Sequence, residues 1–278
     1  MVVRWQSIME LFDPVAITIG SFQIHWYALC FLLAWLAAFV VTLSFEQKNR
    51  EARLMSAALW QDLFWWLLFG GLVGARIGFA IFYEPVFFWN HPGTLFLPYD
   101  FVTETFVPFR GLSFHGGLLG VGVVLGIWSY QKKIALFALT DRLALIAPVI
   151  SVFGRLGNFL NQELPGRITE STFGVYFPGE TVLRHPATLY GLFFEGIFLF
   201  LWLGFWQKRV AKPGTLTVLY LVSYGLVRFI LEYFREPDPG VALLWDTFTR
   251  GQLLSLGMFF GAGLVWFWSS KHATIENN

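Results

Sequence analysis

Long apolar runs, each closed by a short cluster of charge, set the rhythm of this chain. A membrane-crossing helix needs roughly twenty predominantly apolar residues, and about seven stretches approach that length. They cover residues 24–45, 57–83, 113–130, 137–160, 187–206, 215–234 and 252–268. Between the second and third lies segment 84–112, rich in proline and aromatic residues. It is too interrupted to span and too long for a tight turn, so it reads as an arm at the membrane surface. Segments 161–186 and 235–250 read as loops on the same side. With no internal repeat and no linker, residues 1–278 are expected to form a single transmembrane domain. The pattern thus predicts an all-α integral membrane protein with about seven transmembrane helices.

Composition agrees. Of the 278 residues, 56% are hydrophobic and 13% charged, and mean hydropathy is +0.60. A soluble domain of this size needs a larger charged surface. A net charge of +1 without any basic block gives no reason to expect nucleic acid as a partner. The 13 Trp and 32 Phe suit lipid contact and interfacial belts. Cys30 is the only cysteine and lies in the first apolar run, so no intramolecular disulfide can form. No basic stretch followed by an apolar core opens the chain, so no cleavable signal peptide is expected.

Lysine and arginine in short loops mark the cytoplasmic side of a membrane protein. Lys48, Arg50, Arg53, Lys132, Lys133, Lys208, Arg209, Lys212 and Lys271 gather on one side of the spans. Arg4, Arg110, Arg167, Arg184, Arg235 and Arg250 fall on the other. Every lysine lies on the first side, which predicts a cytoplasmic C-terminus and, with an odd number of spans, an N-terminus outside. That orientation brings Tyr27, His115, Arg155, Asn158, Arg228, Glu232 and Arg235 toward one outer depth, although they are scattered along the chain.

The densest polar stretch is 154–166, Gly-Arg-Leu-Gly-Asn-Phe-Leu-Asn-Gln-Glu-Leu-Pro-Gly, which closes the fourth span. An ionisable residue at membrane depth is costly enough to be a functional candidate. Arg155, Asn158 and Gln162 share a face if the helix extends that far; the plain alternative is a helix end meeting headgroups and water. Tyr224, Arg228, Glu232 and Arg235 make one stripe, at spacings of four, four and three. Alone it suits an Arg–Glu pair that locks helices together. Joined to Arg155 it suits a two-arginine clamp, because guanidinium forks match phosphate oxygens in pairs.

His115, ahead of Gly116-Gly117, is either a general base or a histidine bonded to a loop carbonyl. His25-Trp26-Tyr27 fits an aromatic belt at least as well as a site, and His185-Pro186 fits a helix start. Gly70, Gly71, Gly74 and Gly78 would let helices approach closely, and Arg76 among them should face protein or water. No set of residues has metal-ligand spacing and there is no nucleotide-binding loop, so no cofactor is expected.

Residues 154–166 resemble the signature of the bacterial phosphatidylglycerol–prolipoprotein diacylglyceryl transferase family. The resemblance extends, in the family's order, to His25-Trp26-Tyr27, Gly74-Ala75-Arg76-Ile77-Gly78, Ser113-Phe114-His115-Gly116-Gly117, Arg184-His185-Pro186 and residues 224–238. It therefore covers nearly the whole chain. It implies a multi-pass enzyme of the bacterial inner membrane, with a periplasmic N-terminus and an active site toward the periplasm. The implied reaction moves the sn-1,2-diacylglyceryl group of phosphatidylglycerol onto the lipobox cysteine of a prolipoprotein signal peptide, forming a thioether and releasing glycerol 1-phosphate. Phosphatidylglycerol, that signal peptide and membrane lipids would be the partners.

By the same resemblance Arg155 and Arg228 contact the phospholipid and its phosphate, and His115 is the suggested base for the thiol. Tyr27, Asn158, Glu163, Gly166, Glu232 and Arg235 match positions that build or support the substrate site, and Tyr224 joins them from the stripe. The chain departs from the family at Gly191, where Glu is usual, at Arg250, where Met is common, and at Arg110, where Gly is more usual. Those departures leave room for a paralogue of altered specificity, or for a non-catalytic protein that binds anionic phospholipid or lipoprotein precursor. A transporter is a third class, but its polar residues should sit near mid-membrane.

Overall fold

A computed structural model describes the chain except residues 1–4, 21, 49–52, 98, 102, 104, 107–110, 211, 238–247 and 276–278. Among the described residues, helices dominate, and the strands pair only as three small antiparallel hairpins. Six stretches are long and apolar enough to cross a membrane: Trp26–Lys48 (α1), Ala57–Phe82 (α2), Leu136–Leu160 (α5), Ala187–Trp206, Thr215–Phe234 and Gly251–Lys271. The third run of the sequence, α4 (Phe114–Lys132), is 19 residues long, and its glycines and polar ends keep it outside those six. The Ala187–Trp206 rod consists of α6 (Ala187–Gly191), a π-helical turn (Leu192–Phe198) and α7 (Leu199–Trp206). Thr215–Leu231 is α8 and Arg250–Ile275 is α9. The protein is thus an all-α integral membrane protein. Two compact units are present: Met1–Phe45 with Thr140–Asn278, and Glu46–Leu139.

The smaller unit is built on glycine. A Cβ on Gly74 would lie 2.5 Å from the Gly116 carbonyl oxygen, and one on Gly120 would lie 2.1 Å from that of Gly70. Only hydrogen fits at these crossings, so α2 and α4 pack backbone to backbone, as small-residue motifs permit. Arg76 does face protein. Its Nε donates to the Leu95 carbonyl at 2.7 Å, Nη2 to that of Thr94 at 2.8 Å, and Nη1 to that of Gly111 at 3.1 Å. It also lies over the Phe88 ring, 4.8 Å from the centroid. A single buried guanidinium therefore ties the 84–112 arm to α2.

That arm contains a short helix α3 (Pro85–Asn90), a 3-10 turn (Pro92–Leu95) and the hairpin of β3 (Tyr99–Asp100) with β4 (Thr105–Phe106). Trp89, at 87% exposure, is the most open aromatic residue among those described in the arm. Ser113 caps α4, its Oγ accepting from Gly116 N at 3.3 Å. Arg110 lies outside the described residues.

In the larger unit, the hairpin of β1 (Val15–Ile19) and β2 (Phe22–His25) delivers the chain to α1. The first span therefore starts at Trp26 and not at residue 24, because Ile24 and His25 belong to β2. Asp141 explains the charge that opens the fourth span. Its carboxylate accepts from the backbone N–H of Gly214 at 2.7 Å and of Thr217 at 2.8 Å, which satisfies donors at the first turn of α8. Met9, Phe159 and, from the 161–186 loop itself, Val175 and Phe177 form a buried apolar cluster.

Candidate active site

α5 ends at Leu160, so Gln162 is not on its helical face. Both Gln162 and Leu164 adopt left-handed backbone, at φ 59° and 55°. Such conformations are uncommon for residues with a side chain and persist only where neighbours hold them. Here the neighbours are visible. Gln162 Nε2 donates to the carbonyls of Met9 at 2.9 Å and Phe12 at 2.6 Å. Asn161 Oδ1 accepts from Tyr27 N at 3.0 Å and so closes the first turn of α1 from another segment. Glu163 receives Asn158 Nδ2 at 2.9 Å and Asn161 Nδ2 at 3.0 Å. The 154–166 stretch therefore divides its labour: past Asn158 it fixes a loop, whereas Arg155 turns the other way.

Arg155 Nε donates to Glu195 Oε2 at 2.7 Å. Arg228 Nη1 lies 3.7 Å from the other oxygen of Glu195, and Arg228 Nη2 lies 2.7 Å from Glu232 Oε2. The Glu195 side chain is 1% exposed and those of both arginines less than a fifth exposed. Tyr224, one turn before Arg228 on α8, is near enough to Arg155 for the two to interact electrostatically. Arg235 borders the same pocket, together with Thr188, Gly191, Leu164 and Leu231. Buried ion pairs endure only when each charge is answered, and deleting one partner is strongly destabilising. The arginine–glutamate chain meets that condition across three helical segments.

Two close approaches set this geometry. A Cβ on Gly196 would lie 2.5 Å from Val152 Cγ2, so the rod and α5 come together one turn from Arg155. A Cβ on Gly191 would lie 2.9 Å from Arg155 Nε, so the guanidinium crosses the rod where there is no side chain. Glu195 sits inside the π-helical turn, a rare geometry that recurs at functional sites. On the far side, a Cβ on Gly251 would meet the Glu232 carboxylate at 2.6 Å. The side chain of Arg250, just before it, lies outside the described residues.

Gly166 and Arg235 form an isolated antiparallel bridge, and a Cβ on Gly166 would sit 2.1 Å from the His185 carbonyl oxygen. Arg184 clasps the same place: its Nη1 donates to the Gly166 carbonyl at 3.0 Å, and its Nε pairs with Glu180. Both glutamates near it, Glu180 first, hold the Arg184 guanidinium above its ordinary range. His185 Nδ1 lies 3.1 Å from the Tyr190 hydroxyl, and burial lowers the imidazole below its ordinary value.

The structure thus brings Arg155, Arg228 and Arg235 to one pocket, with Glu232 paired to Arg228 behind it; Arg235 reaches the pocket from extended backbone beyond α8 and not from its helical face. Glu163 and Gly166 shape the loop beside it, Asn158 is held by Glu163, and Tyr27 by Asn161. His115 belongs to the smaller unit, exposed at the start of α4 with its ring edge-on to Phe114. Glu195 is the residue that sequence reasoning did not place in the site. Its signal was nevertheless present: a lone carboxylate in the rod of Ala187–Trp206, whose mean hydropathy is 1.7.

A multi-pass membrane protein with a buried, carboxylate-braced arginine pocket is the class these features define. A model of the prolipoprotein diacylglyceryl transferase family matches residues 14–268, and the chain belongs to that family. Relatives named phosphatidylglycerol–prolipoprotein diacylglyceryl transferase are similar over almost their full lengths. That of Campylobacter curvus is 40% identical over 270 residues, 96% of this chain and 98% of that protein. Those of Wolinella succinogenes and Chlorobaculum tepidum are 38% and 37% identical, each over 97% of this chain and over 97% and 94% of their own lengths.

Proposed function

We propose that this protein is an enzyme that transfers the sn-1,2-diacylglyceryl group of phosphatidylglycerol to the lipobox cysteine of prolipoproteins. The observation that carries the reading to this chain's own residues is the arginine pocket. Arg155 and Arg228 bring two guanidinium groups to one pocket, held there by the buried carboxylate of Glu195. Each of the two offers five N–H donors, and the carboxylates engage only part of that set. The remaining donors suit the oxygens of a phosphodiester, which guanidinium forks match in pairs.

In the reaction, the cysteine sulfur attacks the glyceryl carbon that carries the phosphate ester, and the C–S bond forms as the C–O bond breaks. The electron pair of that bond leaves on the phosphate oxygen, and glycerol 1-phosphate departs. Negative charge grows there in the transition state, where fixed guanidinium groups stabilise it more than in the ground state. Glu195 keeps Arg155 and Arg228 in place without reorganisation. The thiol proton must leave before or during attack, because thiolate is the nucleophile. His115, exposed at the start of α4, is the proposed base for that proton. Tyr27, Asn158, Glu163 and Gly166 are proposed to shape the entrance for the substrates.

The setting proposed is the bacterial cytoplasmic membrane, with the pocket toward the periplasm. The lysine-rich loops on the opposite side support it. The test of function is direct: purified protein, phosphatidylglycerol vesicles and a lipobox peptide, with the peptide analysed by mass spectrometry. A diacylglyceryl thioether on the cysteine, with glycerol 1-phosphate released in equal amount, is expected. Binding of phosphatidylglycerol without either product would instead establish a non-catalytic lipid binder.

A further inference from the structure

One buried polar group in the pocket takes no part in the ion-pair chain. Thr188 is 2% exposed, and its hydroxyl makes no hydrogen bond among the described residues. It lines the same pocket as Arg155, Glu195, Arg228 and Arg235. Thr188, Gly191 and Glu195 fall at i, i+3 and i+7 of the rod, so they lie along its arginine-facing side.

The hydroxyl is unpaired for a local reason. A helical threonine usually returns its hydroxyl to the carbonyl three or four residues earlier. Thr188 is the second residue of α6, and the residues at those distances, Arg184 and His185, precede the helix. The His185 carbonyl already accepts from Ala187 N at 2.8 Å. A buried hydroxyl left without a partner is disfavoured, and valine would fill the same volume without that penalty. Its presence is explained if the partner arrives with the ligand.

We propose that Thr188 is a third substrate contact, its hydroxyl donating to a phosphate oxygen held between Arg155 and Arg228. The proposal rests on the reading of this pocket as the phosphate site of the transferase. The shared chemistry is a phosphate ester oxygen, which belongs both to the entering phospholipid and to the departing glycerol 1-phosphate. The hydroxyl acts as a neutral donor beside two cations, so it adds direction to a contact whose strength comes from charge.

The experiment compares wild type, Thr188→Val and Thr188→Ser in the transfer assay with phosphatidylglycerol vesicles and a lipobox peptide. It also measures inhibition by added glycerol 1-phosphate and thermal unfolding in detergent. Thr188→Val is expected to lower kcat/KM by roughly 10–100-fold, the usual size of a hydrogen bond to a charged group. It should weaken inhibition by glycerol 1-phosphate in parallel and leave the melting temperature unchanged or raised. Thr188→Ser should restore kcat/KM to within about threefold, since the donor returns.

A Thr188→Val enzyme as active as wild type overturns the proposal. So does a lowered melting temperature with no rescue by serine, which would make Thr188 a packing group. Lost activity with unchanged inhibition by glycerol 1-phosphate places the contact away from the phosphate and also overturns it. A wild type that yields no product removes the transferase reading and this proposal together. An active wild type with a normal Thr188→Val variant removes this proposal alone.

Discussion

The Nε of Arg155 donates to Oε2 of Glu195 at 2.7 Å, joining α5 to the π-helical turn of the rod through a carboxylate that is 1% exposed. The second oxygen of the same carboxylate faces Arg228 at 3.7 Å, so one acid positions two cations. Glu195→Gln keeps the shape and removes the charge. It is expected to lower the transfer rate by about 100-fold, since small misplacements of catalytic groups have effects of that size. Glu195→Ala should also destabilise the protein by about 3–5 kcal/mol, measurable by unfolding in detergent. Near-wild-type rates for both variants would show that the arginines are placed without this carboxylate.

Arg155→Lys tests the fork itself. An ammonium keeps the charge but cannot offer the planar, two-pronged contact. The expected loss is roughly 100–1000-fold in kcat, the scale of removing one preorganised donor from a developing anion. Steady-state rates against phosphatidylglycerol concentration decide it. Wild-type turnover from the lysine variant is incompatible with a bidentate role.

Gly191, where the family resemblance led to an expectation of glutamate, has a geometric reason to lack a side chain here. A Cβ at this position would lie 2.9 Å from Arg155 Nε and 3.0 Å from its Cδ. Gly191→Ala should therefore displace the guanidinium and lower activity, with a stability change of about 1–3 kcal/mol from overpacking. Gly191→Glu adds a second carboxylate beside Arg155 and should lower activity further. A glutamate variant faster than wild type would mean that Arg155 has a second productive position.

The crossing of α2 and α4 leaves no room for a side chain. Gly74→Val would place carbon 2.5 Å from the Gly116 carbonyl oxygen. Neither neighbour can retreat, because both contacts are backbone. The variant should lose folded protein on extraction, seen as an aggregated peak in size-exclusion chromatography and a lower melting temperature. Gly122→Ala on the same α4 meets nothing within 4 Å and should behave as wild type.

His185 gives the pH dependence a sign. Burial lowers its pKa below the ordinary 6.5, and its ring packs edge-on to Phe234 while Nδ1 meets the Tyr190 hydroxyl. The folded state thus binds fewer protons than the unfolded state in the window below that value. Its stabilising contribution is present above pH 6.5 and is lost as pH falls. Melting temperatures across pH 5–8 should decline toward acid, and His185→Gln should flatten that decline.

Sequence alone determined the solvent in which this protein folds. Apolar runs of span length, lysines gathered on one side, and glycines in the second and third runs state a membrane bundle with one tight helix pair. These are local and periodic properties, and hydrocarbon leaves a chain few alternatives to helix. Of the stripe Tyr224, Arg228, Glu232 and Arg235, helical spacing made only the first two legible as one face, because α8 ends at Leu231, Glu232 falls in a 3-10 turn and Arg235 is in extended backbone. The motif of 154–166 identified Arg155, but not that its helix stops at Leu160 or that Gln162 turns to the carbonyls of Met9 and Phe12.

Only tertiary structure decided what answers each charge. Arg76 and Arg155 are both arginines in apolar helices, equally conspicuous in sequence. Three backbone carbonyls take up Arg76, whereas Glu195 and a pocket meet Arg155. Nothing within either helix fixes that difference, because the partners come from residues 18 to 40 positions away in the chain. A buried charge is defined by its surroundings, and those exist only once the helices have packed.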